Sequence, residues 1–207
     1  KLLLLSFEII SETSVNVKFI FRNPTLYEVV MGIHNIKDIA ETNLTDLTGH
    51  PFAQKNTVSR IIVHEKFNPQ ITNYEFDIAL LKLVSPVTFT KQIGPICLPT
   101  HQDVYSEPSA KAIVMGWGRT QITKSASDVL KEARVLAISA TECREQSLWT
   151  SLAAAITDSM LCETAIEKGS CQGDSGGPLV TKGAKSYVQL GIVSFGYIYK
   201  CAQQGLP

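Results

Sequence analysis

Ser175 stands in Gly169-Ser170-Cys171-Gln172-Gly173-Asp174-Ser175-Gly176-Gly177-Pro178, where small residues surround one hydroxyl and one carboxylate. Glycines let the chain turn tightly and let a substrate carbonyl approach backbone N–H groups, the arrangement that stabilises an oxyanion in acyl transfer. A serine hydroxyl is a weak nucleophile until a base takes its proton, so this run is at most half of a hydrolytic site. It fits equally a glycine-rich surface turn with a passive Ser and Asp. A phosphate-cradling loop is poorly supported, because no Lys follows the glycines and no helix pattern stands behind them. Asp77, between Phe76 and an apolar stretch, reads as a turn-capping acid or as a buried acid with a specific partner. Of the four histidines, His34 and His64 sit beside strand patterns and read as structural, while His50 and His101 lie next to prolines and read as solvent-facing loop residues.

The elements that would hold these groups are strands. Residues 27–31, 58–64, 78–83, 111–115 and 188–195 are short, rich in β-branched side chains and separated by Gly, Pro, Asn and Ser. The predicted fold is all-β. The helix-like stretch 141–154 reads as a surface turn, and 89–105, with Pro95 and Pro99, as a connector between two β units, 1–95 and 96–207. A ligand crevice between such units is expected. Residues 2–7 are apolar but too short for a membrane span, and a buried strand is preferred over the remnant of a signal segment. With 44% apolar and 18% charged residues the composition is that of a folded globular chain. Nineteen basic and nineteen acidic residues leave no net charge, so neither nucleic acid nor a membrane surface is an expected partner.

Five cysteines, Cys97, Cys143, Cys162, Cys171 and Cys201, lack the paired short spacings of a zinc site and read as disulfide formers with one left over. Nothing local chooses among the pairings. Asn43-Leu44-Thr45 is a glycosylation acceptor triplet, which agrees with a secreted, extracellular protein.

The string Gly173-Asp174-Ser175-Gly176-Gly177-Pro178, preceded by Ser170-Cys171-Gln172, resembles the nucleophile motif of the trypsin and chymotrypsin family of serine proteases. Phe76-Asp77-Ile78-Ala79-Leu80-Leu81, Gly116-Trp117-Gly118 and Ser194-Phe195-Gly196 resemble three further blocks of that family in the same order, and the likeness covers about residues 27–207. It implies two antiparallel six-stranded β-barrels, the first incomplete, and an endopeptidase acting on proteins or peptides, which protein protease inhibitors could block. By this resemblance Ser175 is the nucleophile, the N–H groups of Gly173 and Ser175 form the oxyanion hole, and Asp77 orients a histidine base. Gly169 takes the pocket floor, Gly196 and Gly205 the walls, and Gln172, Ser194 and Phe195 the substrate-binding surface. An uncharged floor implies a preference for large apolar side chains. The family's bridges correspond to Cys143–Cys162 and Cys171–Cys201, with the partner of Cys97 outside the chain. Ala112 and Thr181 stand where another frequent bridge would be. No cofactor is implied, and Ile33 replaces the acid that calcium-binding members offer, so no metal is expected.

Two departures matter. The family's histidine lies in a TAAHC-like block ahead of Gly32, and the corresponding stretch, near Val17-Lys18-Phe19-Ile20-Phe21-Arg22-Asn23, holds no histidine. Both ends look incomplete, and the chain as written is expected to be inactive; the alternative is a non-catalytic homologue acting as a binding or cofactor module. Asp174 in turn lacks the α-amino partner it has in activated members. A buried, unpaired carboxylate is costly, so a disordered loop or an acid turned to solvent is expected.

Overall fold

The computed structural model describes residues 2–5, 23–37, 51–68, 74–100, 109–121, 124–146, 155–164, 169–196 and 201. Four strands, β1 (Leu2–Leu5), β2 (Glu28–Met31), β3 (Gln54–Val63) and β4 (Ala79–Leu83), form an antiparallel sheet in the order β1-β4-β3-β2. Five more form a second antiparallel sheet ordered β7-β6-β5-β8-β9: β5 (Ser109–Gly116), β6 (Lys131–Ser139), β7 (Leu161–Thr164), β8 (Pro178–Lys182) and β9 (Tyr187–Ile192). The all-β fold of the chymotrypsin type follows. Among the described residues the sheets hold four and five strands, against six in each barrel of the resembled family.

Alternation writes the first core. In β4, Ala79, Leu81 and Leu83 are buried while Lys82 points to solvent, the period-two pattern of a half-buried strand. Leu81, 2% exposed, packs with Val58 and Leu83, and Tyr27, Val29, Ile61 and Val87 close around them. On its other edge β4 takes β1, with Leu2 opposite Lys82 and Leu5 opposite Ala79. The apolar N-terminal stretch is thus a strand, as expected. In the second sheet Ala112, Val114, Val135, Ala137 and Leu179 make the core, with Ala133, Leu190 and Val193 packed on it.

Three strands went unanticipated. β6 opens on Lys131, Glu132 and Arg134, all exposed, and its inner face carries only Val135 and two small alanines, Ala133 and Ala137. β7 and β8 are too short to show a period. β3 begins at Gln54, earlier than the apolar pattern, because Gln54 and Asn56 exchange side-chain hydrogen bonds with the backbone of Thr88 and Ser85. The helix-like stretch is a helix, α1, over Ala140–Gln146, with its first turn capped by the Ser139 hydroxyl accepting from Glu142 N. Residues 147–154 lie outside the described residues. No helix among the described residues is long and apolar enough to cross a membrane.

The bridges Cys143–Cys162 and Cys171–Cys201 are formed, with Cα separations of 6.1 and 4.9 Å, and Cys97 is free and exposed. Ala112 and Thr181, the positions without their cysteines, are directly paired between β5 and β8. Cys143 is fully buried with Ile138, Ala140 and Ile156, so its bridge ties α1 to β7 through a packed cluster. Replacing Cys143 and Cys162 together by Ala should lower unfolding free energy by about 3 kcal/mol in urea titration. A change below about 1 kcal/mol would show that the bridge adds little to the packing around it.

Candidate active site

The loop of Ser175 lies between the Cys171–Cys201 bridge and the start of β8 at Pro178. Its backbone is stitched by Asp174 N to Cys171 O (3.0 Å) and Gly177 N to Asp174 O (2.9 Å). Gly176 N and Val193 N donate across to Val193 O and Gly177 O, which fixes the loop against the end of β9 and so beside Ser194. Gly173 has φ +91°, a left-handed conformation that a side chain would strain, and a Cβ there would also stand 3.2 Å from Gly118 Cα. Among the described residues the Gly173 N–H has no hydrogen-bond acceptor.

Asp174 does not turn to solvent. Its Oδ1 accepts from Gly118 N at 2.8 Å and its Oδ2 from Cys171 N at 2.9 Å. Burial pushes its carboxyl above the ordinary aspartate value, while the N–H groups of Cys171 and Gly118 pull it back toward the charged form. The expectation of a disordered loop or a solvated acid is therefore corrected: the part-buried carboxylate is received by two backbone N–H groups. This also explains Gly116-Trp117-Gly118. A Cβ on Gly116 would collide with Asp174 Oδ1, and one on Gly118 would lie 2.5 Å from the carboxylate carbon. The Trp117 indole between them donates to His34 O at 3.1 Å, tying this stretch to the segment that follows β2.

Asp77 arrives from the other sheet, two residues before β4. It is delivered by two non-glycine residues in the left-handed region, Tyr74 (φ 64°) and Phe76 (φ 62°), conformations that persist only when surroundings hold them. The Phe76 ring stacks on His64 at 4.9 Å with Lys66 Nζ 5.5 Å from its centroid, and Tyr74 tilts against Phe195 at 5.4 Å. The result is one short contact across 117 residues: the Ser194 hydroxyl donates to Asp77 Oδ2 at 2.6 Å. Asp77 is thus brought to the strand end that carries Ser194, beside the loop of Ser175.

Of the other residues singled out, Gln172 is exposed and its carbonyl accepts from Arg119 N at 2.8 Å. Ser194 is half-buried, Phe195 is 37% exposed, and Gly196 faces open space. Gly169 is half-buried beside Ser170. Gly205, Asn43, His50 and His101 lie outside the described residues. His34 is exposed, with its carbonyl held by Trp117 and Leu130 N, and the His64 ring is occupied by Phe76 and by Lys66 N, which donates to its Nδ1. The hydroxyl of Ser194 was expected at the substrate; its bond to Asp77 had no local signal.

Compared with known proteins, residues 21–207 match the family model described as Trypsin. The chain belongs to the trypsin family. Among curated relatives of this trypsin-family chain, Trypsin-1 of Astacus astacus is 41% identical over 156 residues, covering 74% of the chain and 61% of the relative. Venom serine protease Bi-VSP of Bombus ignitus is 39% identical over 150 residues, covering 70% of the chain and 40% of the relative. The chain therefore spans less than two thirds of either relative. Among the described residues of this trypsin-family chain, no three His, Cys, Asp or Glu side chains cluster as a metal site would require.

Proposed function

We propose that this chain carries the nucleophile half of an extracellular serine endopeptidase that cuts peptide bonds by acyl transfer. The observation that carries the reading is the 2.6 Å bond from Ser194 to Asp77, which brings an acid from one sheet to the nucleophile loop of the other. In the reaction, Ser175 Oγ bonds to the substrate carbonyl carbon and its proton passes through a histidine to the leaving amine as the C–N bond breaks. Water then hydrolyses the ester by the reverse path. The N–H groups of Gly173 and Ser175 receive the oxyanion, and Asp77, steadied by Ser194, orients and charges the histidine. Gly169 alone leaves the pocket floor uncharged, which favours a large apolar side chain. Two disulfides and the Asn43 triplet support secretion, and protein protease inhibitors would occupy the same cleft.

Among the described residues no histidine is seen to serve Ser175: the carbonyl of His34 is held by Trp117 and Leu130, and the ring of His64 by Phe76 and Lys66. That observation favours a second reading, a binding module that keeps the pocket without turnover. A hybrid with a TAAHC-like segment ahead of Tyr27 separates the two. It should hydrolyse fluorogenic peptides, lose that activity with Ser175→Ala, and lose on the order of 10⁴-fold in kcat with Asp77→Asn. A folded hybrid with no Ser175-dependent hydrolysis would favour the binding module.

A further inference from the structure

Cations gather on the outer face of the second sheet. Ala112 of β5 is paired with Thr181 of β8 and points into the core, so the next residue on each strand, Lys111 and Lys182, leaves by the opposite face. On the other flank of β5, Leu136 of β6 lies opposite Lys111 and Arg134 opposite Ile113, which puts Arg134 on the same face, diagonal to Lys111. Tyr187 of β9 is opposite Lys182, and the hairpin between β8 and β9, closed by Gly183 N donating to Ser186 O, carries Lys185. Lys111, Arg134, Lys182 and Lys185 are exposed, and none of them has an ion-pair partner among the described residues.

Like charges on neighbouring strands repel, and a sheet normally relieves them with an acid alongside. Among the described strands of this sheet, Glu132, opposite Met115, is the one acid on that face, and it stands beyond Arg134 from the lysines. The chain as a whole carries nineteen charges of each sign, so the cluster is a local concentration in a neutral protein. Strands lie about 4.8 Å apart, which sets Arg134, Lys111 and Lys182 in a row roughly 10 Å long across β6, β5 and β8. Val180 and Gln189 on the same face are buried, so the open surface is the end of the sheet that carries the lysines. Leu136 and Tyr187, 40% and 46% exposed, flank the row with apolar surface and a phenol. A flat row of this kind suits a linear polyanion whose charges repeat along an amphipathic backbone.

We propose that this face, at Lys111, Arg134, Lys182 and Lys185, is a docking surface for a sulfated polysaccharide. Sulfates would sit over the cations and relieve the Lys111–Lys182 repulsion, while sugar rings cover Leu136 and Tyr187. The choice of a polysaccharide over other polyanions rests on the extracellular reading supported by the two disulfides. The surface needs neither Ser175 nor a histidine, so it stands apart from the peptidase reading.

Binding tests this without requiring turnover. The 207-residue chain is titrated by calorimetry with a heparin-derived oligosaccharide and with the same oligosaccharide after desulfation. The sulfated probe should bind, and its affinity should fall at least about tenfold between about 50 and 200 mM salt as released counterions are taken into account. Replacing Lys111 and Lys182 together by Gln should weaken it at least about tenfold, whereas replacing Lys82 and Lys91, exposed lysines away from the row, should weaken it less than about twofold. The Lys111→Arg, Lys182→Arg pair keeps the charges and should bind as the unaltered chain does; a loss equal to that of the Gln pair would assign the effect to the fold and overturn the proposal. So would no binding of the sulfated probe, equal binding of the desulfated one, or equal losses in the two Gln pairs. Vesicles of phosphatidylserine and phosphatidylcholine and a single-stranded DNA oligonucleotide are titrated alongside. If either binds as tightly as the sulfated probe, the polysaccharide is the wrong partner.

Discussion

The 207-residue chain on its own should hydrolyse peptide substrates no faster than its Ser175→Ala variant. The serine proton is held firmly at neutral pH, and attack needs a base within hydrogen-bond reach. Asp77 cannot serve, because its Oδ2 already accepts the Ser194 hydroxyl and, in the mechanism proposed above, it holds the base rather than acting as one. The two placed histidines are committed elsewhere. The ring of His64 lies flat on Phe76, and His34 is exposed in a segment pinned to the stretch just ahead of β6 by the Asn35–Val129 bridge and the Lys37–Asp128 ion pair at 2.8 Å. Loss of the base in a serine triad costs on the order of 10⁶-fold in kcat, well below the floor of a fluorogenic assay. The check is turnover of fluorogenic peptides with Lys, Arg and Phe ahead of the scissile bond, alongside labelling by a serine-directed phosphonate. Stoichiometric labelling with Ser175-dependent turnover would refute the expectation and make His50 and His101 the next candidates.

Gly118→Ala should destabilise the chain by about 2–3 kcal/mol, an unusual cost for adding one methyl group outside the apolar core. The added carbon would lie 2.5 Å from Asp174 Cγ and 2.7 Å from Oδ2, so the carboxylate must move. Moving it stretches both charge-assisted bonds, to Gly118 N and Cys171 N, and leaves a part-buried acid short of donors. Gly94→Ala is the control, since a Cβ there meets nothing within 4 Å and should change stability by less than about 0.5 kcal/mol. Equal urea midpoints for the two variants would show that the carboxylate has room to retreat.

What the sequence disclosed and what it withheld divide along the range of the interactions. Residues 78–83 and 111–115 announce strands because burial alternates or runs unbroken within a few positions. Both disulfide pairings come from resemblance to a family, since spacing alone left them open. The fate of Asp174 could not be read, because one of its donors, Gly118, is 56 positions away and glycine advertises no partner. Ser194 and Asp77 are separated by 117 positions, and neither segment carries a mark of the other. Phe76 and Tyr74 gave no warning of left-handed backbone, which aromatic residues seldom adopt and which here depends on His64, Lys66 and Phe195.

The pairing of Ala112 with Thr181 divides the second sheet and its loops by their response to reductant. The β5–β8 seam is held by ladder hydrogen bonds, the buried Ala112 and the Thr181 hydroxyl bonded to Lys111 O, none of which a thiol can attack. The loop of Ser175, in contrast, is moored by Cys171 and Cys201. Mild thiol treatment should therefore loosen the amides of 171–176 while those of Val114 and Val180 keep their slow hydrogen exchange. A chain of this design can lose its site before it loses its fold.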